Sequence, residues 1–227
     1  MIDMHCHILP GIDDGAKTVE ESISMLKESF SQGVNICVAT SHCKLRTADA
    51  LDNFIEKRNL AHQTLCDAAK DIQIPRIYLG AEVFLDNDIS KYPGVEKLCI
   101  EGTNCILVEF GINVAESVYS EWLYNLTMKG LTPIIAHVDR YAKRNELIAE
   151  FDGLNIIYQV NNSAVTGLFG SGFIKKLSDY PVVMGSDMHN MTTRPCDMKK
   201  GYDKLKKKIP DGVDYLYSIN AKKILNI

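Results

Sequence analysis

Seven short apolar runs alternate with longer amphipathic segments along this chain of 227 residues, and that alternation restricts its fold more than any other feature. The runs are IDMHC (2–6), VNICVAT (34–40), RIYLGAEV (76–83), CILVEF (105–110), TPIIAH (132–137), NIIYQVN (155–161) and YPVVMGSD (180–187). Rich in Ile, Val and Tyr and between 5 and 8 residues long, they read as buried strands. Helix-like segments follow at 48–70, 115–130, 139–151, 163–179 and 196–208, with a terminal helix near 212–225. A first helix starts at TVEE, where Thr18 and Glu21 have capping-box spacing, and stops before Gly33. Residues 84–104 show no regular period. Strands alternating with helices pair in parallel through right-handed crossovers, which predicts an α/β fold built as a doubly wound sheet or a barrel. No glycine-rich linker or shift in composition divides the chain, so one domain over 1–227 is expected.

Hydrophobic residues make up 46% of the chain and charged residues 24%, an ordinary globular balance. A net charge of -4 argues against a nucleic-acid surface. No stretch approaches the roughly 20 apolar residues that span a bilayer, and the start lacks the pattern of a secretory leader. The seven cysteines contain no C-x-x-C pair, which removes zinc-ribbon and thioredoxin-like motifs. They are expected to be mostly buried thiols in a soluble cytoplasmic protein. The lysine-rich run KKGYDKLKKK (199–208) reads as a solvated helix face or as a patch for an acidic partner.

Metal-ligating residue types fall at the ends of the predicted strands. His5 and His7, spaced by two, close the first and point the same way. His42 follows the second, Glu82 ends the third, Glu109 the fourth and His137 the fifth. Asp187 and His189 follow the seventh, and Asp14 lies in the loop after the first. Of the six histidines only His62 lies elsewhere, in a predicted helix. In a βα barrel those strand ends share one rim. A carboxylate such as Glu109 in LVEF or Glu82 in YLGAEVF is costly in an apolar strand unless it pairs or binds a cation. Imidazole mixed with carboxylate suits manganese, iron or zinc better than calcium.

Nine such ligands are too many for one ion. Three divalent ions against the four carboxylates Asp14, Glu82, Glu109 and Asp187 leave a formal surplus of two positive charges, which favours an anionic substrate such as a phosphate ester. Arg140 in AHVDRY and Arg194 in DMHNMTTRP offer guanidinium forks for phosphoryl oxygens. Arg46 is a further candidate at the pocket mouth. No cysteine is followed six positions later by arginine, so the C-x5-R loop of cysteine-dependent tyrosine phosphatases is absent.

The stretches DMHCHILPGIDDGA, TSHCK, GAEV, LVEF, AHVDRY, QVNNSAVTGLFG and GSDMHN resemble the PHP (polymerase and histidinol phosphatase) family. Within it they are most similar to bacterial tyrosine-protein phosphatases linked to capsule and exopolysaccharide synthesis. The likeness runs from residue 1 to about residue 203. It implies a distorted (βα)7 TIM-like barrel with two or three divalent ions, manganese first, with iron, zinc or magnesium as alternatives. By position, one ion would take His5, His7, Glu82 and Asp187, a second Glu82, Glu109 and His137, and a third Asp14, His42 and His189. Arg140 and Arg194 match the phosphate-contacting arginines. The chain departs from the pattern at Asp139, where Glu is common, and at Cys43.

The activity so implied is hydrolysis of phosphotyrosine by a metal-bound hydroxide. The implied partner is the phosphotyrosine-bearing C-terminal tail of a bacterial tyrosine kinase, which the 199–208 lysines would help to hold. A phosphomonoesterase acting on a small metabolite such as histidinol phosphate shares the same ligand signature and is the alternative.

Overall fold

A computed structural model describes residues 1–111, 116–166, 170–177 and 179–227. Gly167, Leu168 and Phe169 of the GLFG stretch, with Ala115 and Ser178 of two expected helices, lie outside the described residues. The strands are β1 (Ile2–Cys6), β2 (Ile36–Ala39), β3 (His42–Lys44), β4 (Arg76–Leu79), β5 (Glu82–Leu85), β6 (Cys105–Phe110), β7 (Thr132–Ile135), β8 (Ile157–Asn161) and β9 (Val182–Gly185). All pairings between them are parallel. One sheet has the order β1-β2-β4 and the other β3-β5-β6-β7-β8-β9.

One expected strand is broken, and another is followed by a short strand beyond its expected end. The run at 34–40 ends as β2 and is followed by β3, and the run at 76–83 divides into β4 and β5. Hydrogen bonding continues through the bend, because Gly80 N–H donates to Ala39 O at 2.9 Å and Glu82 N–H to Ser41 O at 3.1 Å. Ala39 stays level with Leu79, and His42 with Glu82. A Cβ on Gly80 would stand 3.3 Å from Val38 Cγ1 and 3.4 Å from Thr40 Cγ2, so the bend is packed around a bare backbone. β1 runs beside the segment after β9. Asp187 N–H donates to His5 O at 2.8 Å and His7 N–H to Met188 O at 3.0 Å. The buried Asp3 carboxylate reinforces that join, accepting from Ser186 Oγ at 2.6 Å and Ser186 N at 2.9 Å.

The helices are α1 (Val19–Ser31), α2 (Ala48–Ala69), α3 (Glu116–Met128), α4 (Arg144–Glu150), α5 (Asn162–Thr166), α6 (Gly170–Lys176), α7 (Met198–Lys206) and α8 (Asn220–Leu225). Thr18 caps α1 by accepting from Glu21 N–H at 3.2 Å, and Gly33 follows it at φ +86. The expected helix at 139–151 opens with a separate 3-10 turn, Val138–Arg140, and the terminal one with a π-helical turn, Tyr215–Ile219. In the aperiodic stretch 84–104 lie two 3-10 turns, Ile89–Lys91 and Val95–Leu98. Most strands are buried on both faces, as parallel strands require, whereas β3 exposes His42 and Lys44 and β4 exposes Arg76. On β6, Ile106, Val108 and Phe110 pack into the larger core with Leu26, Leu65 and Leu123, while Cys105 and Leu107 join a smaller one with Met4, Val38 and Ile134. Among the described residues no helix is long and apolar enough to cross a membrane.

Arg58 of α2 closes the outside of the strand bend. Its buried guanidinium donates from Nη1 to Gly80 O at 3.1 Å and to Lys97 O at 3.2 Å. Arg58→Met keeps the aliphatic stem but strips both carbonyls of a donor, which is expected to lose about 1–3 kcal/mol. In a chain of this size that is a fall in Tm of roughly 3 to 10 °C. A thermal melt at an unchanged Tm would mean that water replaces the guanidinium without loss.

Candidate metal centre

The parallel strands deliver the predicted side chains to one place. His5 Nε2 and His7 Nε2 stand 3.1 Å apart. Glu82 Oε2 lies 3.2 Å from each and 2.9 Å from His42 Nδ1. His137 Nε2 reaches Glu82 Oε1 at 2.8 Å and Glu109 Oε1 at 3.5 Å. Asp14 Oδ1 is 3.4 Å from both His42 Nε2 and His189 Nε2, and Asp187 Oδ1 is 3.6 Å from His7 Nε2. At this site three groups have their ligand atoms within 4.8 Å of one another: His5, His7 and Asp187; His42, Glu82 and Glu109; and His7, Asp14, His42 and His189. His137 and Asp187 hold positive φ angles of 30° and 54°, a strained backbone concentrated at this site.

The outer ring nitrogens are already engaged. His7 Nδ1 meets Asp13 Oδ2 at 2.8 Å, His5 Nδ1 meets Gln159 Oε1 at 2.9 Å, and His189 Nδ1 meets Asp187 O at 3.0 Å. An acceptor at Nδ1 keeps the hydrogen there and leaves the Nε2 lone pair for a cation. His189 Nε2 and Glu82 Oε2 are buried without a hydrogen-bond partner, and two imidazole lone pairs facing each other call for a proton or a cation between them. Divalent ions therefore fit these residues. The donors are nitrogen and oxygen only: Cys6 Sγ turns away to Val38 O at 3.2 Å, and burial pushes the Cys43 thiol up to about 12. Cys43 packs in the core and does not face the site.

Charge and burial oppose each other here. Burial alone would lower the pKa of His5, but the Glu82 and Asp187 carboxylates outweigh it and raise it to about 10. His42 rises to about 9, where burial is overcome chiefly by Glu82. His189 moves the other way, to about 4, through burial and the charges of His7 and Arg194. Asp187 is held well below the usual carboxylate range, burial being outweighed by His5, Arg140, His7 and Arg194. Glu109 is raised by burial and by Glu82.

Of the predicted arginines, Arg140 Nη2 pairs with Asp187 Oδ2 at 2.5 Å and Arg194 Nη2 with Asp187 Oδ1 at 2.7 Å, both partly exposed at the mouth. Arg46 is exposed two residues beyond β3 and holds no ion pair among the described residues. In the lysine-rich segment Lys199 pairs with Asp203 at 2.7 Å, Lys204 donates to Thr166 O at 2.8 Å and Lys206 lies against Tyr202. Much of that charge is thus engaged by the protein itself.

Sequence reasoning missed three residues. Asp13 is the first of two adjacent aspartates, and its Oδ1 accepts from Gly15 N–H at 2.9 Å while Oδ2 also accepts from His42 N–H at 2.8 Å. The Asp-x-Gly turn was the available signal, since a side chain that closes such a turn is directed inward. A Cβ on Gly15 would come within 2.3 Å of His7 O, so only glycine completes it. Gln159 and Asn161 are alternate residues on one strand and face the same way, a polar pair in an apolar run.

Imidazoles and carboxylates gathered at the carboxyl ends of parallel strands define an α/β protein with a candidate metal site. The family model described as "Capsular polysaccharide synthesis, CpsB/CapC" matches residues 1–226, and the chain belongs to that family. It is 33% identical to the tyrosine-protein phosphatase CpsB of Streptococcus pneumoniae, over 92% of this chain and 90% of the relative. With the tyrosine-protein phosphatase YwqE of Bacillus subtilis it shares 28% identity over 99% of this chain and 91% of YwqE. A crystal structure from work on YwqE and CpsB, described as metal-dependent tyrosine phosphatases, superposes with a TM-score of 0.80 at 25% identity, covering 100% of this chain and 94% of the other. An amidohydrolase structure resembles the fold alone, with a TM-score of 0.59 at 12% identity, covering 100% of this chain and 99% of the other.

Because His5 and His42 hold their protons more tightly in the folded chain than at the ordinary 6.5, they contribute stability that is complete below that pH and is lost as pH rises through 9 to 10. Thermal melts in chelator should therefore show Tm falling between pH 6.5 and 9. A flat profile would contradict the ion-pair geometry.

Proposed function

We propose that the chain is a metal-dependent protein-tyrosine phosphatase, a single domain over 1–227 whose two sheets together form a distorted seven-stranded βα barrel. The observation that carries this reading is the convergence of inward-facing Nε2 and carboxylate atoms beside two arginines. His5, His7, Glu82 and Asp187 would hold one divalent ion, Glu82, Glu109 and His137 a second, and Asp14, His42 and His189 a third. Manganese suits these imidazole and carboxylate donors, as iron, zinc or magnesium also would. Such ions supply Lewis acidity and bring the pKa of water to near 7, so that a nucleophile exists at neutral pH.

The chain's own residues do the rest. Arg140 and Arg194 are partly exposed above Asp187, where their forks take up phosphoryl oxygens and stabilise the charge that grows on them. Glu82, Asp187 and Glu109 hold the inner face negative, so binding an anion there depends on cations between the two layers. The leaving group of a phosphotyrosine is a phenol with a pKa of about 10, which departs without a strong general acid. No thiol takes part, because Cys6 and Cys43, the cysteines next to predicted ligands, are buried away from the site. Membership of a capsular polysaccharide synthesis family supports a cytoplasmic role on the phosphotyrosine-bearing tail of a bacterial tyrosine kinase.

The test is phosphate release from a phosphotyrosine peptide and from histidinol phosphate, each with added manganese and with chelator. Turnover of the peptide that chelator abolishes supports the reading, and preference for histidinol phosphate would replace it with a small-metabolite phosphatase. Arg140→Ala and Arg194→Ala should each lower kcat/KM for the peptide by about 10²–10³. Full activity in both variants would remove the arginines from the mechanism.

A further inference from the structure

We propose that Gln159 and Asn161 form a hydrogen-bonded relay that presets His5 and Asp187 as ligands of one cation; Gln159 also holds the backbone of His137, while Asn161 is a positioning residue for that one site. This rests on the proposed reading of His5 and Asp187 as metal ligands.

The orientation of every group in the relay follows from its ends. The backbone N–H of His137 can only donate, so the Gln159 atom 2.6 Å from it is Oε1. The same Oε1 accepts from His5 Nδ1 at 2.9 Å. The Gln159 amide nitrogen then donates to Asn161 Oδ1 at 3.0 Å, which leaves the Asn161 amide nitrogen for Asp187 Oδ2 at 2.8 Å. A carboxylate only accepts, so the far end agrees with the near one. Neither amide can be flipped without breaking two contacts. The relay links β7, β8 and β1 to the residues after β9, and both amides are buried.

Two further facts mark the relay as built for this place. Gln159 and Asn161 interrupt an apolar strand otherwise made of Ile157, Tyr158 and Val160, where unpaired amides would be destabilising. On β9, a Cβ at Gly185 would stand 2.6 Å from His5 Cβ and 2.7 Å from Gln159 Nε2, so the Gln159 amide crosses over a bare glycine to reach its partners.

The consequence is selective. His5 keeps its Nδ1 hydrogen in either charge state, so Nε2 is the atom that meets the cation. Asp187 is turned so that Oδ1 faces His5 and His7 at 3.7 and 3.6 Å. The relay makes no hydrogen bond to the side chains of Asp14, His42, Glu109 or His189.

Metal-stripped wild type, Gln159→Met, Asn161→Ala and the double variant are titrated with manganese by calorimetry, with free ion counted by electron paramagnetic resonance. Asn161→Ala is expected to weaken one class of site by about 10–100-fold, and Gln159→Met to weaken that class and the site that includes His137. The remaining sites should stay within about twofold of wild type. The double variant should lose no more than the worse single one, because both residues act in one chain of contacts. Wild-type affinity at every site in the variants, or an equal loss at all sites, overturns the relay. If Gln159→Met fails to fold, Asn161→Ala decides, since it leaves both contacts of Gln159 Oε1 in place. Wild type that binds no manganese would overturn the metal reading itself, a distinct result from variants that bind as wild type does.

Discussion

Glu82 is a carboxylate shielded from water and ringed by four imidazoles, those of His5, His7, His42 and His137, none further than 3.2 Å. Burying an isolated carboxylate is costly enough that it would take up a proton. Here burial does push toward protonation, but the charge of His5, the hydrogen bond with His137 and the nearby His42 ring hold Glu82 well below the ordinary carboxylate range. The balance works only while the rings stay where they are. The rings come from three parts of the chain, with His5 and His7 two residues apart at the end of β1, so the position of this one charge depends on β1, β3, β5 and the segment after β7 being in register.

The architecture meets that demand through its irregularities. Continuous strands through 34–40 and 76–83 would have run straight past the site. The paired bend at Thr40–Ser41 and Gly80–Ala81 restarts both strands at His42 and Glu82, which lie side by side in the pairing. The left-handed backbones of His137 and Asp187 are fixed by contacts from other strands: Gln159 accepts from His137 N–H at 2.6 Å, and Asp187 N–H donates to His5 O at 2.8 Å. Strained backbone persists where the surroundings over-determine it, and here the surroundings are the partners of the same ligands.

Ligand types at strand ends were legible because hydrophobic period and residue chemistry are both written locally. His5 with His7, and Asp187 with His189, needed only a spacing of two. The capped start of α1 at Thr18 is equally local. What the sequence concealed depends on contacts between distant segments. A period-two pattern does not reveal that a strand bends at Gly80, since the reason is how near Val38 and Thr40 stand. Asp13 and Asp14 are chemically identical neighbours, and only the fold sends one behind His7 and the other toward His189. Gln159 and Asn161 read as stray polar residues until His137 and Asp187 are seen at either end of them. Arg46 stands exposed two residues past β3, a position that follows from where that short strand ends rather than from any local pattern.

Asp187 joins the inner and outer parts of the site. Its Oδ1 faces His5 and His7 while accepting from Arg194, and its Oδ2 accepts from both Asn161 and Arg140. The two guanidinium groups are thus drawn inward by the same carboxylate that the imidazoles surround. Coulombic attraction at these separations is strong in a poorly solvated pocket, so an anion at the mouth competes with Asp187 for both arginines. Positive charge added on the imidazole side of Asp187 weakens its hold on them and leaves the forks free to turn outward. The inner cluster and the outer arginines are therefore not independent features: whatever neutralises Asp187 from within also sets how tightly Asp187 holds both guanidinium groups.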